Sequence, residues 1–176
     1  MAMEIERKFL LKQELPRELL NVVRKQEIIQ GYLNTDSDKV TRVRVSSGVM
    51  GARATLTVKG KAEGISREEI ETELLEPKVA RQIIDRFCSG VVHKIRYTFP
   101  AKTEGELVLN KMADPLMWEI DEFLGENSGL WIAEIELPDE NTPLIIPSWC
   151  GTEVSTDWRY TNVNLAQNPY LSWSSE

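Results

Sequence analysis

Charged residues stand at alternate positions in segment after segment of this chain. Arg42 and Arg44 flank Val43, and Glu69, Glu71 and Glu73 enclose Ile70 and Thr72. Lys94 and Arg96 flank Ile95, Glu119 and Asp121 flank Ile120, and Glu134 and Glu136 flank Ile135. Glu4, Glu6 and Lys8 keep the same spacing, as do Thr55, Thr57 and Lys59. Successive side chains of a strand point to opposite faces, so each segment presents one charged face and one apolar face. An antiparallel sheet with a wet face explains any one of these strands. It explains the set poorly, because most segments carry a single sign and like charges at i and i+2 repel. Acidic and basic strands facing each other around a closed barrel would compensate them.

The periodicity predicts strands over 3–11, 27–33, 40–45, 53–58, 65–74, 93–99, 106–110, 117–124 and 130–137, with Gly48, Gly51, Gly60, Gly64, Gly125 and Gly129 among the turns. Helices are expected over 16–26, on the spacing of Leu19, Leu20 and Val23, and over 77–88. The second starts with Pro77 and is expected to bury Val79, Ile83, Ile84 and Phe87. A third is expected within 156–167, begun by Thr156 or Asp157. The fold class is α+β, mostly β: a barrel with a charged interior and helices packed outside, in one domain spanning 1–176. Arg7 and Glu122 fall on the apolar side of their strands and are expected to pair with helix residues outside the barrel.

Composition narrows the chemistry. The single histidine, His93, excludes a three-histidine metal site, so a metal here must use carboxylates, which suit magnesium or manganese. A net charge of −7 argues against a generic nucleic-acid binder. No apolar run approaches the ~18 residues that cross a bilayer, and Glu4 and Glu6 stand where a secretory leader would be basic and then apolar. The expectation is a cytoplasmic protein with no membrane and no nucleic-acid partner. Cys88 and Cys150 lack metal-ligand spacing and are expected to be thiols. Sorted cations and carboxylates in a rigid tunnel suit a triphosphate substrate held by Lys and Arg, with a divalent metal on a carboxylate cluster. There is no Gly-rich phosphate loop.

The motifs Glu4-Ile5-Glu6-Arg7-Lys8, Gln30-Gly31-Tyr32-Leu33, Arg42-Val43-Arg44, Leu56-Thr57-Val58-Lys59-Gly60, Lys94-Ile95-Arg96-Tyr97, Trp118-Glu119-Ile120-Asp121 and Ala133-Glu134-Ile135-Glu136-Leu137 occur in this order. With Arg67-x-Glu69-x-Glu71 and a tail from Gly151 to Asn162, the set resembles the CYTH family of triphosphate tunnel metalloenzymes. The resemblance implies an eight-stranded antiparallel tunnel. It implies that Lys8, Arg42, Arg44, Lys59, Lys94 and Arg96 grip the triphosphate. It implies a metal on Glu4 and Glu6 with Glu134 or Glu136, the catalytic set being Glu4, Glu6, Lys8 and Glu136. Glu69, Glu71, Glu119 and Asp121 would hold a second metal or orient water, and Tyr32 and Arg159 would lie at a tunnel mouth. A homodimer is compatible with it.

The leading functional reading is metal-dependent hydrolysis of inorganic tripolyphosphate to pyrophosphate and phosphate. Two others stay open: a class IV type adenylate cyclase or a thiamine or nucleoside triphosphatase, and a non-catalytic polyphosphate- or nucleotide-binding module. The stretch from Thr98 to Pro115 is longer than short family members lead one to expect, which leaves the register around Lys111 open.

Overall fold

The computed structural model describes residues 2–12, 24–36, 39–61, 63, 65–74, 76–101 and 116–173; for 2–4, 66 and 67 it describes the backbone only. Nine strands form one antiparallel sheet. They are β1 (Ala2–Leu11), β2 (Arg24–Asp36), β3 (Lys39–Gly48), β4 (Gly51–Lys59), β5 (Ser66–Leu74), β6 (Val91–Pro100), β7 (Met117–Phe123), β8 (Trp131–Glu136) and β9 (Cys150–Glu153). The order is β5-β4-β3-β2-β6-β7-β8-β1-β9, and β1 also pairs with β5. That last pairing closes eight strands into a ring. β1 makes the closure by pairing along both edges: Glu6–Leu10 with β8 on one, and Ala2–Ile5 with β5 on the other. The short β9 adds to β1 at Phe9 and Leu11.

The strands expected over described residues are all present, most of them extended where a ladder partner lies opposite. The expected strand at 106–110 and Lys111 lie outside the described residues. So does most of the expected helix at 16–26, but its last three residues are strand: Arg24, Lys25 and Gln26 pair with Thr98, Tyr97 and Arg96. Ladder hydrogen bonds override the local helical spacing there. β9 was not expected. It is four residues long and forms only because β1 offers an edge.

The outer face of the ring is apolar. Phe9, Trp118, Ile120, Ala133 and Ile135 form one core cluster, packed with Trp149 and Leu144 from the segment leading to β9. Val43 and Ala54 form another with Ala80 and Ile84 of helix α1 (Pro77–Phe87). The fit is close at Gly31, where an added Cβ would lie 2.7 Å from Cys88 Cβ. Only part of the expected helix face is buried: Ala80 and Ile84 are inside, while Val79 is 50% and Phe87 70% exposed. Val79 lies at the edge of the stripe, and Phe87 is the last residue of the helix, a turn beyond the contact made by Ala80 and Ile84.

The tail is a 3₁₀ turn (Trp158–Tyr160) and helix α2 (Asn162–Gln167) rather than one helix. Each has its own cap: Asp157 accepts from Arg159 N–H, and Thr161 Oγ1 from Asn164 N–H. Leu165 of α2 packs on Val92, Phe123 and Ile132. These share strand parity with Lys94, Asp121 and Glu134, so the tail covers an apolar end of the ring's inner face. Arg7 and Glu122 pair with neighbouring strands instead of helices, Arg7 with Glu153 and Glu122 as acceptor from Tyr97 Oη. Cys88 and Cys150 are free thiols, and no helix among the described residues is long and apolar enough to cross a membrane.

Replacing Ile84 by Ala removes the centre of the α1 contact and is expected to cost about 2–5 kcal/mol in denaturant unfolding. Phe87→Ala, at the exposed helix end, is expected to stay within about 0.5 kcal/mol.

Candidate active site

Strand alternation places the charges inside. Lys8, Arg42, Lys59, Lys94, Arg96, Asp121 and Glu134 are all buried, together with Gln30 and Thr57. They are buried against one another. Lys8 Nζ donates to Glu134 (2.7 Å) and Glu6 (2.5 Å). Arg96 donates from Nε and Nη2 to the two oxygens of Asp121, each at 2.7 Å, and from Nη2 to Glu134 at 2.6 Å. Arg96 also pairs with Glu119, and Lys94 with Asp121. Across the ring, Arg42 meets Glu71 at 3.2 Å and Glu69 at 3.8 Å, and Lys59 meets Glu69 at 2.5 Å.

The register explains these pairs. Lys8 stands opposite Glu134, Arg96 opposite Asp121, and Lys59 opposite Glu69. Direct opposition brings side chains of one face within reach. The same register also sets acid against acid: Glu6 opposite Glu136, and Glu119 opposite Glu134.

Compensation is uneven. Burial opposes the charge of Lys8, but Glu134 and Glu6 outweigh it and raise the ammonium's pKa. Burial likewise opposes Glu134, and Lys8, Lys94 and Arg96 hold it well below the usual carboxylate range. Lys8 therefore contributes stability below its ordinary value, lost only as pH rises through the raised folded value. Glu134 contributes above the ordinary carboxylate range, lost as pH falls through its depressed value. Arg44 and Lys94 run the other way. Burial, then Arg42 and Arg96, push Arg44 down to about 10. Burial, then Arg96, push Lys94 down to about 8, so its charge costs stability below that pH, a cost that fades as pH rises toward the ordinary 10.5. Arg44 has no ion pair among the described residues; its Nε donates to Gln30 Oε1 at 3.0 Å. Arg42 Nε and Thr55 Oγ1 are buried without a hydrogen-bond partner among the described residues. A buried donor without an acceptor is costly, and an anion is one group that could supply the acceptor.

The sequence profile of the CYTH domain matches residues 2–164. The chain belongs to the CYTH family. An inorganic triphosphatase of Acetivibrio thermocellus is 44% identical over 174 residues, covering 98% of this chain and 99% of its own length. One of Nitrosomonas europaea is 34% identical over 171 residues, covering 93% of this chain and 96% of its own. Among solved structures, the crystal structure of an inorganic triphosphatase aligns with a TM-score of 0.62 at 28% identity, covering 99% of each chain.

CYTH tunnel enzymes use divalent metals, and this chain's donors suit one. The facing pairs Glu6–Glu136 and Glu119–Glu134 gather carboxylates of like charge, offset in part by Lys8 and Arg96, and all their donors are hard oxygens. Among the described residues no three Asp, Glu, His or Cys side chains converge as a metal cage; the side chain of Glu4 lies outside them, although its backbone is in β1 opposite Arg67.

Of the two residues expected at a tunnel mouth, Tyr32 is 3% exposed inside the CYTH ring, with its hydroxyl accepting from Gln30. Arg159 is exposed in the tail and paired with Asp157 at 2.7 Å. Sequence reasoning missed Gln30, Thr57 and Asn162. Thr57 Oγ1 bridges Arg42 and Glu71, and Asn162 Oδ1 accepts from Lys94 Nζ at 3.1 Å. Parity with Tyr32 and Lys59 was the available signal for Gln30 and Thr57. Asn162 had only its place in the closing motif, which names no partner, since the tail's contact with Lys94 is set by the fold.

Asp121→Asn leaves Lys94 and Arg96 buried with one carboxylate fewer and is expected to cost about 3–5 kcal/mol in unfolding experiments. An anion bound near Lys94 favours its charged form. Tripolyphosphate binding in chelator at pH 8 is therefore expected to take up as much as about half a proton, seen as a dependence of calorimetric enthalpy on buffer ionisation heat.

Proposed function

We infer that this protein hydrolyses inorganic tripolyphosphate to pyrophosphate and phosphate. The observation that carries the reading is a closed ring of strands lined by buried and half-buried cations, one of which, Arg44, has no ion pair among the described residues. A linear inorganic triphosphate carries several negative charges in a compact volume, which such a lining complements. The two relatives named inorganic triphosphatases, matched over almost their whole length, support the same substrate.

In this reading the chain acts as one CYTH domain. Lys8, Arg42, Arg44, Lys59, Lys94 and Arg96 hold the phosphates. The guanidinium groups of Arg42, Arg44 and Arg96 bind non-bridging oxygens in bidentate fashion. Lys8 keeps its proton at neutral pH, since Glu6 and Glu134 raise its pKa, so it serves as a fixed positive charge beside the carboxylates. Glu4 and Glu6, with Glu134 or Glu136, would hold magnesium or manganese, and Glu69, Glu71, Glu119 and Asp121 a second ion or the attacking water. A bound divalent ion supplies charge withdrawal from the phosphoryl group and activation of water. The side chains of the ring hold the chain of phosphates and neutralise charge as the bridging oxygen departs.

The test is phosphate release from tripolyphosphate, ATP and thiamine triphosphate, each with magnesium, with manganese and with chelator. Metal-dependent turnover is expected on tripolyphosphate, faster than on the other two, and reduced at least about 100-fold by Glu4→Gln/Glu6→Gln. Equal rates on ATP, or a cyclic product, would shift the substrate assignment. Tight binding without turnover would leave a binding module.

A further inference from the structure

Gln30 is wholly buried on β2, and its amide is bonded at both ends. Nε2 donates to Tyr32 Oη at 2.9 Å, and Oε1 accepts from Arg44 Nε at 3.0 Å. Gln30 and Arg44 stand directly opposite in the β2–β3 ladder, which makes the contact short and repeatable. With Nε tied down, the plane of the guanidinium is set. Its two Nη groups make no hydrogen bond among the described residues. The nearby charges that oppose it are Arg42 and Arg96.

A buried cation ordinarily draws a carboxylate. Arg44 has a neutral amide instead. An amide acceptor restrains the guanidinium's direction and leaves its charge intact; a carboxylate would restrain it and cancel it. Two further buried donors are open among the described residues: Arg42 Nε, two residues before Arg44 on β3, and Thr55 Oγ1 on β4, directly opposite Arg44.

We propose that Gln30 is a positioning residue for the anion site: it aims the two Nη groups of Arg44 at a phosphate of the bound chain and, being neutral, leaves the charge of Arg44 for that phosphate. The proposal rests on reading Arg44 as a phosphate ligand. It separates two substitutions of similar length. Gln30→Glu keeps an oxygen acceptor for Arg44 and adds the charge that cancels it. Gln30→Met removes the acceptor and adds no charge.

The experiment measures tripolyphosphate binding in chelator by calorimetry, and KM and kcat with metal, after thermal unfolding confirms that each variant is folded. Gln30→Glu is expected to weaken binding about 30–100-fold and Gln30→Met about 5–10-fold, in KM and Kd more than in kcat. If Gln30 served packing alone, the order would reverse, because Met removes the acceptor of Arg44 Nε and the contact with the Tyr32 hydroxyl while Glu can keep both; that order overturns the proposal. Should Gln30→Glu fail to fold, Arg44→Lys supplies the second arm. It keeps the charge and lacks Nε, so adding Gln30→Met to it is expected to change Kd less than about 2-fold. An undiminished effect in that background overturns the proposal. Wild-type protein that binds tripolyphosphate but does not hydrolyse it with metal would remove the proposed activity and leave the Gln30 comparison decisive. Failure to bind tripolyphosphate at all would overturn both.

Discussion

Charges removed from water must find partners, and the interior of this ring is organised by that requirement. An unpaired buried ion costs several kcal/mol even after relaxation, so most inward cations draw an acid from another strand. Glu134 shows the constraint most fully. It accepts from Lys8 on the adjacent β1 and from Arg96 on β6, two strands away through β7. Asp121 does the same for Lys94 and Arg96. Such pairs hold the register, because a one-residue slip would turn every charge outward and every Ile and Val inward.

The pairing is deliberately incomplete on one side. Around Lys8 the acids win, and the ammonium is held more firmly charged than in water. Around Arg44, burial, Arg42 and Arg96 outweigh the attraction of Asp121, and no carboxylate forms an ion pair with Arg44 among the described residues. A folded protein tolerates this when the missing partner is a ligand that brings its own negative charge. The same wall then serves stability where it is neutralised and binding where it is not. The facing acids Glu6–Glu136 and Glu119–Glu134 set like charge against like, with Lys8 and Arg96 beside them.

The outside of the ring follows ordinary rules. Its apolar face is covered by α1, by the segment before β9 and by β9 itself. The tail does a different job, packing α2 onto the apolar end of the inner face while sending Asn162 to Lys94. Gly90 permits this approach, since a Cβ there would fall 2.4 Å from the carbonyl oxygen of Ala166.

Strand alternation by itself determined that Lys8, Arg42, Lys59, Lys94, Arg96, Asp121 and Glu134 share an interior, because parity along a strand is a local property. The motif order likewise sufficed for the family. Parity does not say which strands become neighbours, so the sequence left open that β1 would divide its edge between β5 and β9, or that Glu6 would face Glu136. It placed Val79 and Phe87 inside, because helical spacing marks an apolar face but not how much of it a partner covers. The roles of Gln30 and Asn162 were invisible for the same reason. Neutral amides are common on strands and in tails, and only the assembled ring shows which cations they touch. Local stereochemistry decides which face a side chain takes, and long-range pairing decides what it meets there.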